Sequence, residues 1–404
     1  MKKGWEIKKL GEVCEFNNGD RGTNYPSKSA RTIEGIPFVN AGHLTDNGLD
    51  FVSMDYISRE RYNLLGNGKI KKNDILFCLR GSLGKFASVG DLSEGAIASS
   101  LVIVRPTSKV IAKFIMAYFS SKMCANMINF YGNGAAQPNL SAASLKNFLI
   151  PIPPLPEQQR IVSILDEAFS SIEQAKENLQ RNLQNAKELF QSELNSIFTN
   201  KGEGWEGKTL GEVTNVQRGS SPRPKGDPKY FSETKTEYNW ITISDISAYA
   251  KNNVLLQTRE WLTEAGSKQS RYVDKNEFII AVSGSTTGKC CITGINGFIY
   301  DGLAVVKIIN NTIEPKFLLN YMMSLYTTIN NSKTGAAFPN INTNYLNNLS
   351  IPFPPLKTQQ KIVQQIDKLS AETKRLEAMY QQKLDALEEL KKSILQKAFS
   401  GELS

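Results

Sequence analysis

Two stretches of the chain carry a strict helical pattern. From Ile161 the apolar residues fall at Leu165, Ala168, Ile172, Ala175, Leu179, Leu183, Ala186, Phe190, Leu194 and Ile197, with Gln, Asn, Lys and Glu filling most other positions. Steps of mostly three and four return to one side of a 3.6-residue helix, so the spacing predicts an amphipathic helix. Neither proline nor glycine interrupts it before Gly202. The second stretch runs through Ile362, Ile366, Leu369, Leu376, Tyr380, Leu384, Leu387, Leu395 and Ala398 and ends beside Gly401. About 40 residues at about 1.5 Å each give a helix of roughly 60 Å, longer than a compact domain needs. Two stripes of near-equal length in equivalent positions are best covered by each other. If the halves are related by a two-fold axis, the helices pair antiparallel. Apolar residues off the seam, Phe169, Val363 and Phe399, are then expected to face a partner protein.

Each stripe follows a proline-rich entry. Ile150-Pro-Ile-Pro-Pro-Leu-Pro-Glu-Gln-Gln-Arg-Ile-Val162 recurs as Ile351-Pro-Phe-Pro-Pro-Leu-Lys-Thr-Gln-Gln-Lys-Ile-Val363, a shift of 201 positions. The prolines exclude regular structure until the helix opens, and Pro156 suits its first turn. Other segments pair in the same order: Trp5-Glu-Ile-Lys-Lys-Leu-Gly-Glu-Val13 with Trp205-Glu-Gly-Lys-Thr-Leu-Gly-Glu-Val213, Arg80-Gly-Ser-Leu-Gly-Lys85 with Ser283-Gly-Ser-Thr-Thr-Gly-Lys289, and Gly134-Ala-Ala-Gln-Pro-Asn139 with Gly335-Ala-Ala-Phe-Pro-Asn340. Two copies of about 200 residues are too long and too few for a solenoid, so the chain reads as a duplicated domain. The expected division is a globular part over 1–155, a helix over 156–200, a second globular part over 201–355 and a second helix over 356–404. Within the globular parts, Ile75–Leu79, Leu101–Val104, Phe278–Val282 and Leu303–Ile308 read as strands among Gly, Asn and Ser turns. Helices are expected at Ile111–Met127 and Pro315–Leu325. The fold class is α/β or α+β.

The 404 residues are 40% hydrophobic, enough for real cores, and 48 Lys and Arg exceed 39 Asp and Glu by 9. A basic balance points to an anionic partner, nucleic acid or an anionic membrane. No run of about 18 apolar residues exists to span a bilayer, and the Lys2-Lys3 start leads into polar sequence rather than a signal segment. The expectation is therefore a cytoplasmic protein with no membrane partner. Five cysteines, odd in number and without a C-x-x-C, read as reduced and structural.

Four catalytic readings fail on the residues themselves. A phosphate-binding P-loop needs a glycine at position 283 and a Ser or Thr at position 290, where this chain has Ser283 and Cys290. Asp301 with Glu314-Pro-Lys316 has the spacing of a D…ExK nuclease site, but proline at the middle would stiffen the strand that must carry both ligands. His43 is the only histidine, so zinc sites with two imidazoles lack a second ligand. No N-P-P-[YF] tetrad marks a DNA methyltransferase. An autonomous nuclease or methyltransferase remains the alternative reading, and these gaps speak against it.

Taken together, the W-E-x-x-x-L-G-E-V openings, the G-A-A-x-P-N segments, the I-P-x-P-P-L-x-x-Q-Q-x-I-V entries and the long helix after each resemble the specificity subunits of Type I restriction-modification systems, the HsdS family. The resemblance spans the whole chain. It implies two target recognition domains, each reading one half of a bipartite DNA site, separated by two long helices pairing as an antiparallel coiled coil. It implies docking of two methyltransferase subunits and, through them, of restriction and translocase subunits. It also implies a chain that is not catalytic, with S-adenosylmethionine, ATP and Mg²⁺ bound by the partners. The halves differ strongly beyond the shared motifs, with Asn17-Asn-Gly-Asp-Arg-Gly-Thr-Asn24 against Gln217-Arg-Gly-Ser-Ser-Pro-Arg-Pro-Lys-Gly226. The two half-sites are therefore expected to differ.

Basic loops supply the DNA-binding candidates. Arg21, Asn24, Lys28 and Arg31 lie in the first half, and Arg218, Ser220, Arg223, Lys225 and Lys229 occupy the matching stretch of the second. Arginine and lysine there suit phosphate contact and bidentate recognition of guanine. Arg80 and Lys85, with Ser285 and Lys289 opposite, sit in glycine-rich loops that can grip a phosphate, and His43 in Asn40-Ala-Gly-His43 is a further candidate. Tyr25 and Tyr230-Phe231 are available to stack or pack.

Overall fold

A computed structural model describes residues 2–46, 48–132, 139–200, 202–251, 253–283, 287–331 and 341–403. The chain divides into two units, Met1–Leu179 with Gln382–Ser404, and Gln180–Gln381. Each unit takes about one half of each long helix.

In the first unit, an antiparallel sheet runs Cys14–Asn18, Leu101–Pro106, Ile75–Cys78, Phe86–Ser88. Its central strands are buried on both faces. Ile75, Phe77, Val102 and Val104 join the cluster containing the helices, while Leu76, Cys78, Leu101 and Ile103 join a second cluster beneath the other face. Burial on both sides is why these strands read as unbroken apolar runs rather than as alternation. A second sheet, Ala96–Ile97, Ile36–Val39, Asp55–Ile57, Arg31–Thr32, includes one parallel pairing. The sequence did not signal this sheet, because its strands are two to four residues long.

The second unit repeats the plan. Thr214–Arg218, Leu303–Ile308, Phe278–Ala281 and Cys290–Thr293 form the equivalent sheet, extended by Val254–Leu255 and Ala250–Lys251. Phe278, Ile280, Ala304 and Val306 pack toward the helices, and Ile279, Ala281, Leu303 and Val305 pack away from them. Five strands make its second sheet, in the order Phe231–Ser232, Glu260–Leu262, Asn239–Ile241, Gly297–Ile299, Arg271–Val273.

The expected helix over Ile111–Met127 is two helices, Ala112–Phe119 and Lys122–Tyr131. Ser121 breaks it. Its backbone is extended, its hydroxyl accepts the Cys124 N–H, and it donates to Tyr118 O at 2.6 Å, the bonding of an N-cap rather than of a helix interior. The counterpart, Pro315–Asn331, is one helix and runs past the expected end.

Both long helices are continuous over 45 residues, Leu155–Thr199 and Leu356–Ser400, about 67 Å each at 1.5 Å per residue. Within the first unit they pair antiparallel: Ile161, Val162 and Leu165 share a cluster with Leu395, Ala398 and Phe399, while further along Lys176 reaches Glu388 at 2.9 Å. Within the second, Leu194 and Phe198 share a cluster with Ile362, Val363 and Ile366. Val363 and Phe399, expected to face a partner protein, are buried in their own units. Phe399 packs on Phe114 and Tyr118, with ring centroids 5.1 and 5.8 Å away. Phe169 is half-buried beneath Lys391, whose ammonium lies 5.1 Å from the ring.

The Gln-Gln of each proline-rich entry has a clear role. Gln158 is wholly buried; its Oε1 accepts the Ile111 N–H at 3.0 Å, and its Nε2 donates to Lys109 O and Pro153 O at 3.2 and 2.9 Å. Gln359 accepts from Glu314 N at 2.7 Å and donates to Thr312 O and Pro354 O at 3.3 and 2.9 Å. In each unit one side chain thus ties the first turn of the long helix to the loop that closes the sheet. Nearby, Lys113 pairs with Asp166 at 2.7 Å, and Lys316 with Asp367 at 2.8 Å.

Candidate nucleic-acid interface

At the end of the main sheet, a glycine after the edge strand Cys14–Asn18 in one unit and Thr214–Arg218 in the other lets the chain cross against another backbone. A Cβ at Gly19 would lie 2.5 Å from Ala98 O, and one at Gly219 would meet Tyr300 O closer still. Only glycine fits such an approach. It brings the basic loop over the residue two before the neighbouring strand, Ser99 in one unit and Asp301 in the other.

In the first unit, Arg21 is exposed and its Nη2 donates to Ser99 O at 3.4 Å. Together with Arg80, Asn18 and Asn139 it lines a cleft of about 490 Å³. Lys28 is exposed on a short 3₁₀ turn, and Asn24 Nδ2 is engaged by Leu64 O at 3.1 Å. In the second unit, Arg218 Nε donates to Asp301 O at 2.8 Å and Arg223 Nη2 to the Asp301 carboxylate at 2.8 Å. Arg223 and Lys225 line a cleft of about 380 Å³ with Trp240, Glu260, Tyr300 and Asp301. Lys229 is exposed and rests 5.3 Å from the Tyr230 ring, and the Ser220 hydroxyl donates to Gln269 O at 3.0 Å.

The two glycine-loop lysines occupy equivalent places after a left-handed glycine, Gly84 and Gly288. Lys85 Nζ donates to Ala41 O at 3.4 Å, and Lys289 Nζ to Ser247 Oγ at 2.8 Å. Ser285 and most of the G-A-A-x-P-N segments lie outside the described residues.

Two candidates are corrected. His43 is 4% exposed, its Nδ1 accepting the Asn40 N–H at 3.2 Å, so it closes a turn instead of facing a ligand. Arg31 lies on a strand, bonded to Asp55 at 2.6 Å with its guanidinium 5.5 Å from the Phe38 ring. Its charge is neutralised internally. Tyr25 likewise packs edge-on to Phe38 at 5.8 Å.

Two of the residues weighed as a nuclease site have other partners. Asp301 is engaged by Arg223, Lys316 by Asp367, and no group of three or more His, Cys, Asp or Glu could hold a metal among the described residues. All five cysteines are buried, and burial pushes the Cys14, Cys124 and Cys291 thiols up to about 12, far from nucleophilic thiolates. Among the described residues no helix is long and apolar enough to cross a membrane.

A family model described as Type I restriction modification DNA specificity domain matches residues 2–181 and again residues 202–388. The chain belongs to this family. A putative type I restriction enzyme MjaX specificity subunit of Methanocaldococcus jannaschii is 24% identical, over 99% of this chain and 93% of its own length. The StySPI specificity subunit of Salmonella potsdam is also 24% identical, over 100% and 90%, and the EcoKI specificity subunit of Escherichia coli 23% identical over the same shares. In fold, the chain is similar to one from a solved type I R-M system, with TM-score 0.80, 22% identity and coverage of 100% and 99%. It is similar also to the HsdS subunit of Thermoanaerobacter tengcongensis, with TM-score 0.65, 22% identity and coverage of 100% and 98%.

For this specificity-domain chain, the candidate residues that sequence reasoning did not bring together are Asp301 in its pairing with Arg223, and the cleft walls Trp240, Glu260 and Tyr300. A usable signal was present: Asn18-Gly19 and Arg218-Gly219 fall at the same point of the repeat. A glycine retained there amid otherwise divergent loops marks a close backbone approach.

Proposed function

We propose that the chain is the DNA sequence-specificity subunit of a Type I restriction-modification complex. Each unit reads one half of a bipartite, asymmetric site, and the long helices set the spacing and dock two methyltransferase subunits, through which restriction subunits join. The chain performs no chemistry; S-adenosylmethionine, ATP and Mg²⁺ belong to the partners, and the complex works in the cytoplasm. The observation that carries this reading is that the family match covers both halves, while the clefts beside the two equivalent sheets are lined differently, by Arg21 and Arg80 in one unit and by Arg223 and Lys225 with Glu260 and Asp301 in the other. One chain with two dissimilar reading surfaces fits a site with two dissimilar halves. Arg21, Arg80, Arg218, Arg223 and Lys225 line or flank the clefts and would supply phosphate and base contacts.

The test is a methylome of cells with and without the gene, expressed beside its methyltransferase, together with nuclease and methyltransferase assays of the purified chain alone. The expected result is an interrupted, asymmetric modified motif that disappears with the gene, and no activity from the chain by itself. Duplex binding should weaken steeply with salt, because counterion release accompanies phosphate contact. Cleavage or methylation by the isolated chain would overturn the proposal.

A further inference from the structure

We propose that Asp301 is a positioning residue that fixes Arg223 for recognition of a guanine in one half-site. The inference rests on the reading of this chain as a DNA reader and assigns that role to one pair of side chains.

Arg223 lies in the connection between the strands Thr214–Arg218 and Phe231–Ser232, with no strand or helix of its own to hold it. Its side chain is 71% exposed. An arginine so placed would ordinarily spread over many rotamers. Asp301 restrains it by holding the end of the strand and the loop at three points: its carbonyl accepts from Arg218 Nε at 2.8 Å, its N–H donates to Ser221 Oγ at 3.1 Å, and its carboxylate accepts from Arg223 Nη2 at 2.8 Å. The anchor is itself rigid, since Tyr300 N donates to Ile241 O, Val282 N to Gly302 O and Leu303 N to Tyr300 O, at 2.9 to 3.2 Å.

One N–H of the guanidinium is thus engaged, and its remaining N–H groups carry no protein acceptor among the described residues. They form a pre-set planar fork at the open cleft. A fork suits two acceptors side by side, which a phosphate or the N7 and O6 of guanine can present. The carboxylate decides between them. Beside a phosphate, Asp301 would add repulsion where attraction is needed; with Arg223 at a base edge it would stand away from the phosphates and could accept from the amino group of the paired cytosine. In the first unit the equivalent residue, Ser99, holds Arg21 through its carbonyl alone and contributes no carboxylate.

The experiment uses the full chain assembled with its methyltransferase subunits, comparing wild type with Asp301→Asn and Arg223→Lys. The wild-type motif should contain a guanine position in one half-site. Asp301→Asn should relax that position alone, cutting the preference for guanine about tenfold or more, while the other half-site stays strict. Binding to a duplex lacking the site should hold or tighten, because a negative charge has been removed. Equal weakening on site and non-site duplexes, or an unchanged motif, would overturn the proposal. Should Asp301→Asn fail to fold, Arg223→Lys decides: it keeps the charge, loses the fork and should relax the same position, and an unrelaxed motif overturns the assignment. A wild-type complex that modifies no defined motif would instead overturn the underlying function.

Discussion

Gln158 and Gln359 make the same three hydrogen bonds, whereas Arg21 and Arg218 reach equivalent backbone carbonyls from different places in the repeat. Around the glutamines nearly everything recurs. Tyr118 donates to Leu149 O at 3.0 Å and Tyr321 to Ser350 O at 2.9 Å, and each helix is braced by a Lys–Asp pair. Around the arginines, only the glycine crossing and the sheet beneath it recur. Duplication has therefore kept the joint between helix and sheet and let the loops diverge. A joint must satisfy fixed backbone groups, and a buried amide with three partners has few substitutes. An exposed loop answers only to what it binds.

The largest test of this contrast is to remove the joint. Gln158→Leu should leave the Ile111 N–H and the Lys109 and Pro153 carbonyls without partners. At about 1–3 kcal/mol for each buried group left unpaired, the loss should reach about 4 kcal/mol. Denaturant unfolding should give a similar loss for Gln359→Leu. If one substitution were nearly neutral, the equivalence of the joints would be broken.

A smaller effect should separate two pairs that occupy matching sheet positions. Asp74 is fully buried and takes both Nε and Nη2 of Arg105 at 2.8 Å, raising the guanidinium pKa, chiefly through that hydrogen bond. In the second unit, Lys307 lies 3.1 Å from Glu277, and both are partly exposed. Arg105→Ala should cost about 3 kcal/mol, because a buried carboxylate loses its counter-charge. Lys307→Ala should cost less than about 1 kcal/mol. Similar losses would show that burial does not distinguish the pairs.

The smallest effect concerns Glu157, whose counterpart in the repeat is Thr358. Hydrogen bonds from Arg160 and Lys2 hold its carboxyl down from 4.5 to about 2. A depressed carboxylate stabilises the fold fully above about pH 4.5, and this contribution is lost as pH falls toward 2. Glu157→Gln should therefore lower the Tm at pH 7 by about 2 °C, with the gap closing by pH 2. Thr358→Val should show no such pH dependence. A gap that persists at pH 2 would mean the ion pairs are not its cause.

Much of the plan was legible in the sequence because the signals were long. Stripes of nine or ten apolar positions at helical spacing and four unbroken apolar runs survive any local exception. What was missed depended on single contacts. Ser121 ends a helix by capping the next one, inside an apolar stretch that reads as continuous. His43 and Arg31 look like surface chemistry until Asn40, Asp55 and Phe38 are seen around them. Asp301 was weighed in the sequence only as part of a nuclease motif, because its partner lies 78 positions away, across the glycine crossing. The clefts depend on which loop meets which strand, and spacing along the chain carries no such information.

The buried glutamine also bears on inheritance. Its fixture is encoded in nearly the same words at two points 201 positions apart, and it uses backbone groups rather than particular neighbouring side chains from the sheet end of the unit. A genetic exchange through either copy would transmit an intact joint together with a whole new loop set. A lineage carrying this gene could then acquire a different DNA vocabulary in one event, without passing through intermediates that fail to fold.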